Sequence, residues 1–233
     1  MKFAGDKKDG RSLLADAEEH LKNWMLPKVP KSVETYHLTL TTVLWCLLLI
    51  VFGFLSRHNV HWLWLSSLVI FLQYITDLLD GAIGRTRNTG LIKWGFYMDH
   101  FLDYMFLCSI LIGYSFRLTG NQKLLLLFIL MLFGAFMVNS FLSFAATNKF
   151  RISYMGIGPT EMRIIFILIN SLLIFVACTR DASDPSQPSY LARSLPYILW
   201  ASTFVLFVTV FKTQKSLWLL DMDNKNKEAD DKE

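Results

Sequence analysis

Six apolar runs punctuate the chain, at about Leu40–Leu55, Trp62–Leu79, Phe96–Phe116, Leu124–Phe144, Met162–Cys178 and Ser194–Phe211. Most approach the ~20 residues that a helix needs to cross a hydrocarbon core. The first and fifth are short, so they are expected either to extend past these boundaries or to cross a locally thinned bilayer. Between Ser12 and Pro27 the pattern is different. Leu14, Ala17, Leu21, Trp24 and Met25 recur at helical spacing, with Asp16, Glu18, Glu19 and Lys22 on the other faces. That pattern predicts an amphipathic helix lying at a membrane surface or packed on a partner, ended by Pro27 and Pro30.

The remaining segments are polar. Residues 1–11 and 216–233 read as disordered ends, residues 12–36 as the juxtamembrane helix and linker, and residues 37–215 as the membrane domain. Arg180 to Arg193, with its Asp, Ser and Pro, reads as an extracytoplasmic loop. With 53% hydrophobic residues and a positive mean hydropathy, the chain is too apolar for an ordinary soluble domain. If the N-terminus is cytoplasmic, 18 of the 23 lysines and arginines fall on that side. Both termini and the connection between the second and third runs are therefore expected in the cytoplasm. Cys46, Cys108 and Cys178 all lie within apolar runs, so no disulfide framework is expected. No cleavable signal peptide is expected either, because the first apolar run starts near residue 40 behind a long charged segment.

Chemistry concentrates where the second run ends and the third begins. Asp77 and Asp80 stand three apart, and Asp99 and Asp103 stand four apart, so each pair shares a helix face. Four carboxylates near a bilayer repel and lose hydration, and something positive must sit among them. Oxygen-only ligands point to a hard cation, Mg²⁺ or Mn²⁺, and two divalent ions would balance four carboxylates. Gly81, Gly84 and Gly95 remove side-chain bulk where a phosphate can approach, and the planar fork of Arg85 suits a diphosphate. Acids, metal, small residues and an arginine together read as phosphoryl-transfer chemistry.

At these residues the chain resembles the CDP-alcohol phosphotransferase family, whose signature is D-x-x-D-G-x-x-A-R, a spacer, then G-x-x-x-D-x-x-x-D. Asp77, Asp80, Gly81, Arg85, Gly95, Asp99 and Asp103 match it in type and spacing, and Gly84 stands where the family usually has Ala. The resemblance implies an all-α integral membrane protein, a six-transmembrane-helix bundle with an N-terminal amphipathic juxtamembrane helix, usually a homodimer, with a polar cavity open to the cytoplasm. It implies metal-dependent transfer of a phosphatidyl group from a CDP-linked lipid such as CDP-diacylglycerol to an alcohol acceptor, with release of CMP. On this resemblance Asp77, Asp80 and Asp99 hold one metal, and Asp99 and Asp103 help hold a second. Asp103 also serves as general base, Gly81 and Gly84 admit the nucleotide, and Arg85 binds a phosphate. The expected partners are the CDP-linked substrate, an alcohol acceptor and membrane lipids, with no nucleic acid.

Other positions keep two readings. Thr39, in His37-Leu38-Thr39 opening the first run, reads as a helix cap or backbone partner. Arg87 and Lys93 can contact phosphates or anchor the connection to lipid headgroups. Lys149, Arg151 and Arg163 can form an anion site for a phosphorylated acceptor. Equally, they can be ordinary inside-positive charge, with Arg163 paired to Glu161 and Thr160 capping the fifth span. His100 reads as support or packing beside Asp99. The short chain favours CDP-diacylglycerol as donor, while Asp99-His100 resembles enzymes that use CDP-choline or CDP-ethanolamine with diacylglycerol. A cation or proton transporter accounts for the acids but not for Gly81, Arg85 and Gly95 at their spacings. A catalytically silent scaffold is at odds with an intact set of four aspartates.

Overall fold

The computed structural model describes residues 7–9, 14–87, 91–147, 149–151, 158–179 and 190–230. Among these the chain forms seven α-helices: α1 (Ala15–Met25), α2 (Thr35–Leu55), α3 (Trp62–Arg87), α4 (Ile92–Ser115), α5 (Asn121–Thr147), α6 (Pro159–Thr179) and α7 (Tyr190–Asp230). One departure from an all-helical fold is a parallel pair of three-residue strands, Lys7–Asp9 and Lys149–Arg151. It places the N-terminal segment beside the connection that leaves α5.

Five of these helices are long and apolar enough to cross a membrane: α2, α3, α5, α6 and α7. The first and fifth runs, short in sequence, gain residues at their leading ends to reach 21 each. With 24 residues α4 has the length, but Asp99, His100 and Asp103 depress its hydropathy. The connection expected over Thr86 to Trp94 is tighter than the sequence implied, because α3 continues to Arg87 and α4 starts at Ile92.

Local signals set the helix ends. Glu34 accepts a bond from the His37 backbone, and its own backbone N–H donates to His37 Nδ1 at 3.0 Å, so a capping box opens α2. Thr39 is therefore not the cap; its hydroxyl lies one turn in, against the Thr35 carbonyl at 3.1 Å. At the other end of α2 the Arg117 guanidinium donates to the Ser56 carbonyl, occupying one of the acceptors a helix leaves unsatisfied at its C-terminus. Gly120, at φ +51°, makes the left-handed turn into α5.

Around α3 the packing is tightest. α2 lies against both α3 and α4, and α6 against α3. At the α2–α4 crossing a Cβ on Gly53 would collide with the Gly113 backbone, so the helices touch main chain to main chain there. Beside that crossing Tyr114 Oη donates to Asn170 Oδ1 at 2.8 Å, and Asn170 Nδ2 donates to Ser67 Oγ at 3.1 Å, joining α3, α4 and α6. In contrast, α5 and α7 pack mainly on each other, and Tyr197, Trp200, Phe204 and Phe207 of α7 are all exposed.

The tail departs most from expectation. In place of disorder after residue 215, α7 runs unbroken to Asp230. Its last part holds no Pro or Gly, and Lys227 pairs with Asp223 at 2.8 Å across one turn, the i, i+4 pattern that supports exposed helices. Residues 1–6 and 180–189, expected as disordered end and loop, lie outside the described residues.

Candidate active site

The end of α3, the start of α4 and the first turns of α6 meet at one point. Asp77 projects from α3, while Asp99 and Asp103 project together from α4. Carboxylate oxygens of the three lie within 4.8 Å of one another. Into this group reaches Arg163 of α6, only 7% exposed. Its Nη2 lies 3.0 Å from Asp77 Oδ2 and 3.1 Å from Asp103 Oδ1. A buried guanidinium is tolerated only when such partners surround it. Arg163 is thus turned to the aspartates of α3 and α4. Glu161 instead accepts the Gly158 N–H at 2.8 Å and closes the N-terminus of α6, with Pro159 as its first residue. The expected Thr160 cap is replaced by this arrangement.

Asp80 does not join the trio. One turn beyond Asp77 it turns to α2 and accepts a bond from Thr39 Oγ1 at 2.5 Å. The four aspartates therefore divide three and one, and the hydroxyl that takes the fourth comes from His37-Leu38-Thr39. Asp99 Oδ2 lies 3.4 Å from His100 Nδ1, whose ring packs on Phe96 and Phe141.

The phosphate-side residues separate as well. Gly81 is exposed on α3, and a Cβ there would come within 3.4 Å of the Arg85 guanidinium, which folds over it. Around Gly95 nothing lies within 4 Å of a hypothetical Cβ, so the start of α4 leaves room for a ligand. Gly84 sits within α3 between them. Arg87 turns to the backbone of the preceding linker. Its guanidinium donates to the carbonyls of Val29, Pro30, Lys31 and Val33, holding the linker between α1 and α2 against the end of α3. Lys149 and Arg151 lie in the second strand, and their side chains are outside the described residues.

Three carboxylates and one guanidinium leave an excess of two negative charges in an oxygen-only pocket, a donor set that fits a divalent hard cation. A sequence profile of the CDP-alcohol phosphatidyltransferases matches residues 37–213, more than half of the chain and all of the helices that build this pocket. The chain belongs to that family. It is accordingly a transferase of substituted phosphate groups, a multi-pass membrane enzyme of phospholipid biosynthesis that takes a phosphatidyl group from a CDP-linked alcohol. The family uses a divalent metal, in keeping with the cluster of aspartates. No curated protein and no solved structure is significantly similar to the chain.

Proposed function

We propose that the enzyme transfers the phosphatidyl group of CDP-diacylglycerol to the hydroxyl of a small alcohol and releases CMP. The observation that carries this reading is the convergence of Asp77, Asp99 and Asp103 on one point beside the open start of α4. These three would hold Mg²⁺ or Mn²⁺, with Asp80 supporting from the adjacent turn. A divalent cation there supplies the positive charge that a diphosphate needs to release CMP.

The chain's own groups do the rest. Asp103 takes the acceptor's proton as its oxygen attacks the β-phosphorus; the new P–O bond forms while the bond to CMP breaks, and CMP leaves with the electron pair. Arg85, folded over Gly81, is available to a phosphate oxygen, and Gly81, Gly84 and Gly95 keep the nucleotide side clear. Lys149 and Arg151, in the connection leading to α6, are assigned to the charge of the acceptor.

We further propose that α4 spans the bilayer as the sixth helix of the bundle, its acids being compensated within the protein. At 24 residues its length is about 36 Å. The site faces the cytoplasm with both termini, by the distribution of basic residues. α1 lies on that surface with Trp24 exposed and Lys28 over its ring at 3.1 Å. The membrane domain is assigned to residues 37–215, and the homodimer rests on the family resemblance alone.

The test is CMP release by purified protein in lipid nanodiscs with Mg²⁺, offering CDP-diacylglycerol, CDP-choline or CDP-ethanolamine against a panel of acceptors. Release from CDP-diacylglycerol with one small alcohol, lost in Asp103→Asn, supports the reading. Release only from CDP-choline or CDP-ethanolamine with diacylglycerol replaces it with the other donor class.

A further inference from the structure

We infer that Arg163 is the resident counter-ion of the carboxylate site and competes with the divalent cation for Asp77 and Asp103. The inference rests on the metal reading of the same carboxylates and goes beyond it. A single nitrogen, Arg163 Nη2, contacts both acids at 3.0 and 3.1 Å, and those acids are two of the three whose oxygens form the ligand-sized cluster. An arginine keeps its charge at any working pH, so this counter-charge cannot be titrated away. Two cations that draw on the same partly buried carboxylates repel each other. Whatever stabilises the acids before the metal arrives is subtracted from what the metal gains by binding them.

The arrangement has a purpose beyond folding. With Arg163 in place the site holds together in the absence of metal, and the cation becomes an exchangeable participant instead of a structural one. Arg163 is therefore a positioning residue that sets metal affinity through Asp77 and Asp103. A guanidinium that merely held the two acids in a ligating geometry would have the opposite effect on removal. Losing it would disorder the ligands and weaken the metal.

The experiment measures Mn²⁺ binding to purified protein in nanodiscs by the paramagnetic resonance of free Mn²⁺, with thermal unfolding in parallel. Wild type, Arg163→Gln and Arg163→Lys are compared. Arg163→Gln is expected to bind Mn²⁺ at least tenfold more tightly than wild type. It should also melt at a lower temperature without metal and gain more on Mn²⁺ addition. Arg163→Lys, which keeps the charge on a side chain too short to carry its nitrogen to where Nη2 meets both acids, is expected to tighten binding about threefold. Should Arg163→Gln fail to fold, Arg163→Lys alone decides. Equal or weaker Mn²⁺ binding in the variants, with binding intact in wild type, overturns the competition. Wild type that does not bind Mn²⁺ overturns the metal reading itself, a distinguishable result.

Discussion

Two polar centres join the same three helices, and they are built on opposite principles. Away from the acids, Tyr114 near the end of α4, Asn170 of α6 and Ser67 near the start of α3 form a neutral chain of hydrogen bonds. Seven residues earlier on α6, about 10 Å along its axis, Arg163 binds Asp77 of α3 and Asp103 of α4. In the neutral chain each bond has a donor matched to an acceptor, and all three residues are buried. The ionic centre is unbalanced, with three acids facing one arginine. Balance marks a centre that holds helices together. Imbalance marks one that must take something more, and a transferase working on a diphosphate needs such a place.

The sharpest way to break this comparison is Asp103→Asn. If the ionic centre serves the reaction, CMP release falls by about 10²- to 10⁴-fold, while thermal stability stays level or rises because one of several crowded acids is gone. Retained turnover would remove Asp103 from the chemistry. The next largest effect belongs at the helix crossing beside the neutral chain. Gly53→Val places side-chain atoms into the Gly113 backbone and is expected to cost about 3 kcal/mol. Unfolding of the variant in nanodiscs reads that cost, and turnover per folded molecule should stay near wild type. Asn170→Leu follows, at about 1–2 kcal/mol, because it leaves the Tyr114 hydroxyl and Ser67 without their shared partner. A Leu variant that unfolds normally but loses turnover would show that the neutral chain reaches into catalysis after all.

How far these centres can be read in the sequence differs for a physical reason. Asp77, Asp80, Asp99 and Asp103 lie within 27 residues, and spacing alone tells which of them share a helix face. The helices themselves follow from apolar runs and from breakers such as Pro27 and Pro30. Partners on other helices are different, because Arg163 stands 86 residues from Asp77 and 60 from Asp103. Periodicity gives a helix its faces but not the neighbour each face meets. For the same reason Thr39, which opens the first span, gave no sign that it would take Asp80 out of the trio. The basic residues at the helix ends are the hardest to separate by sequence. Arg87 and Arg163 look alike as inside-positive charge, yet one is spent on four linker carbonyls and the other on two acids. Charge-rich composition describes both a disordered segment and a solvated helix; the tail is helical, with Lys227 paired to Asp223 across one turn.

The smallest expected effect sharpens the comparison most finely. Tyr114→Phe removes one hydroxyl and keeps the ring against Phe166, so packing is preserved while the bond to Asn170 is lost. Inter-helical hydrogen bonds of this kind inside membranes average about 0.6 kcal/mol, since the separated helices find other partners. The variant should therefore unfold only slightly more easily and turn over substrate as wild type does. A loss of several kcal/mol would mean that the neutral chain is cooperative, with Asn170 and Ser67 failing together once the first donor is gone. That result would move the main lock of the bundle from the glycine crossing to the hydrogen bonds, and would leave the ionic centre free to vary its charge without the helices coming apart.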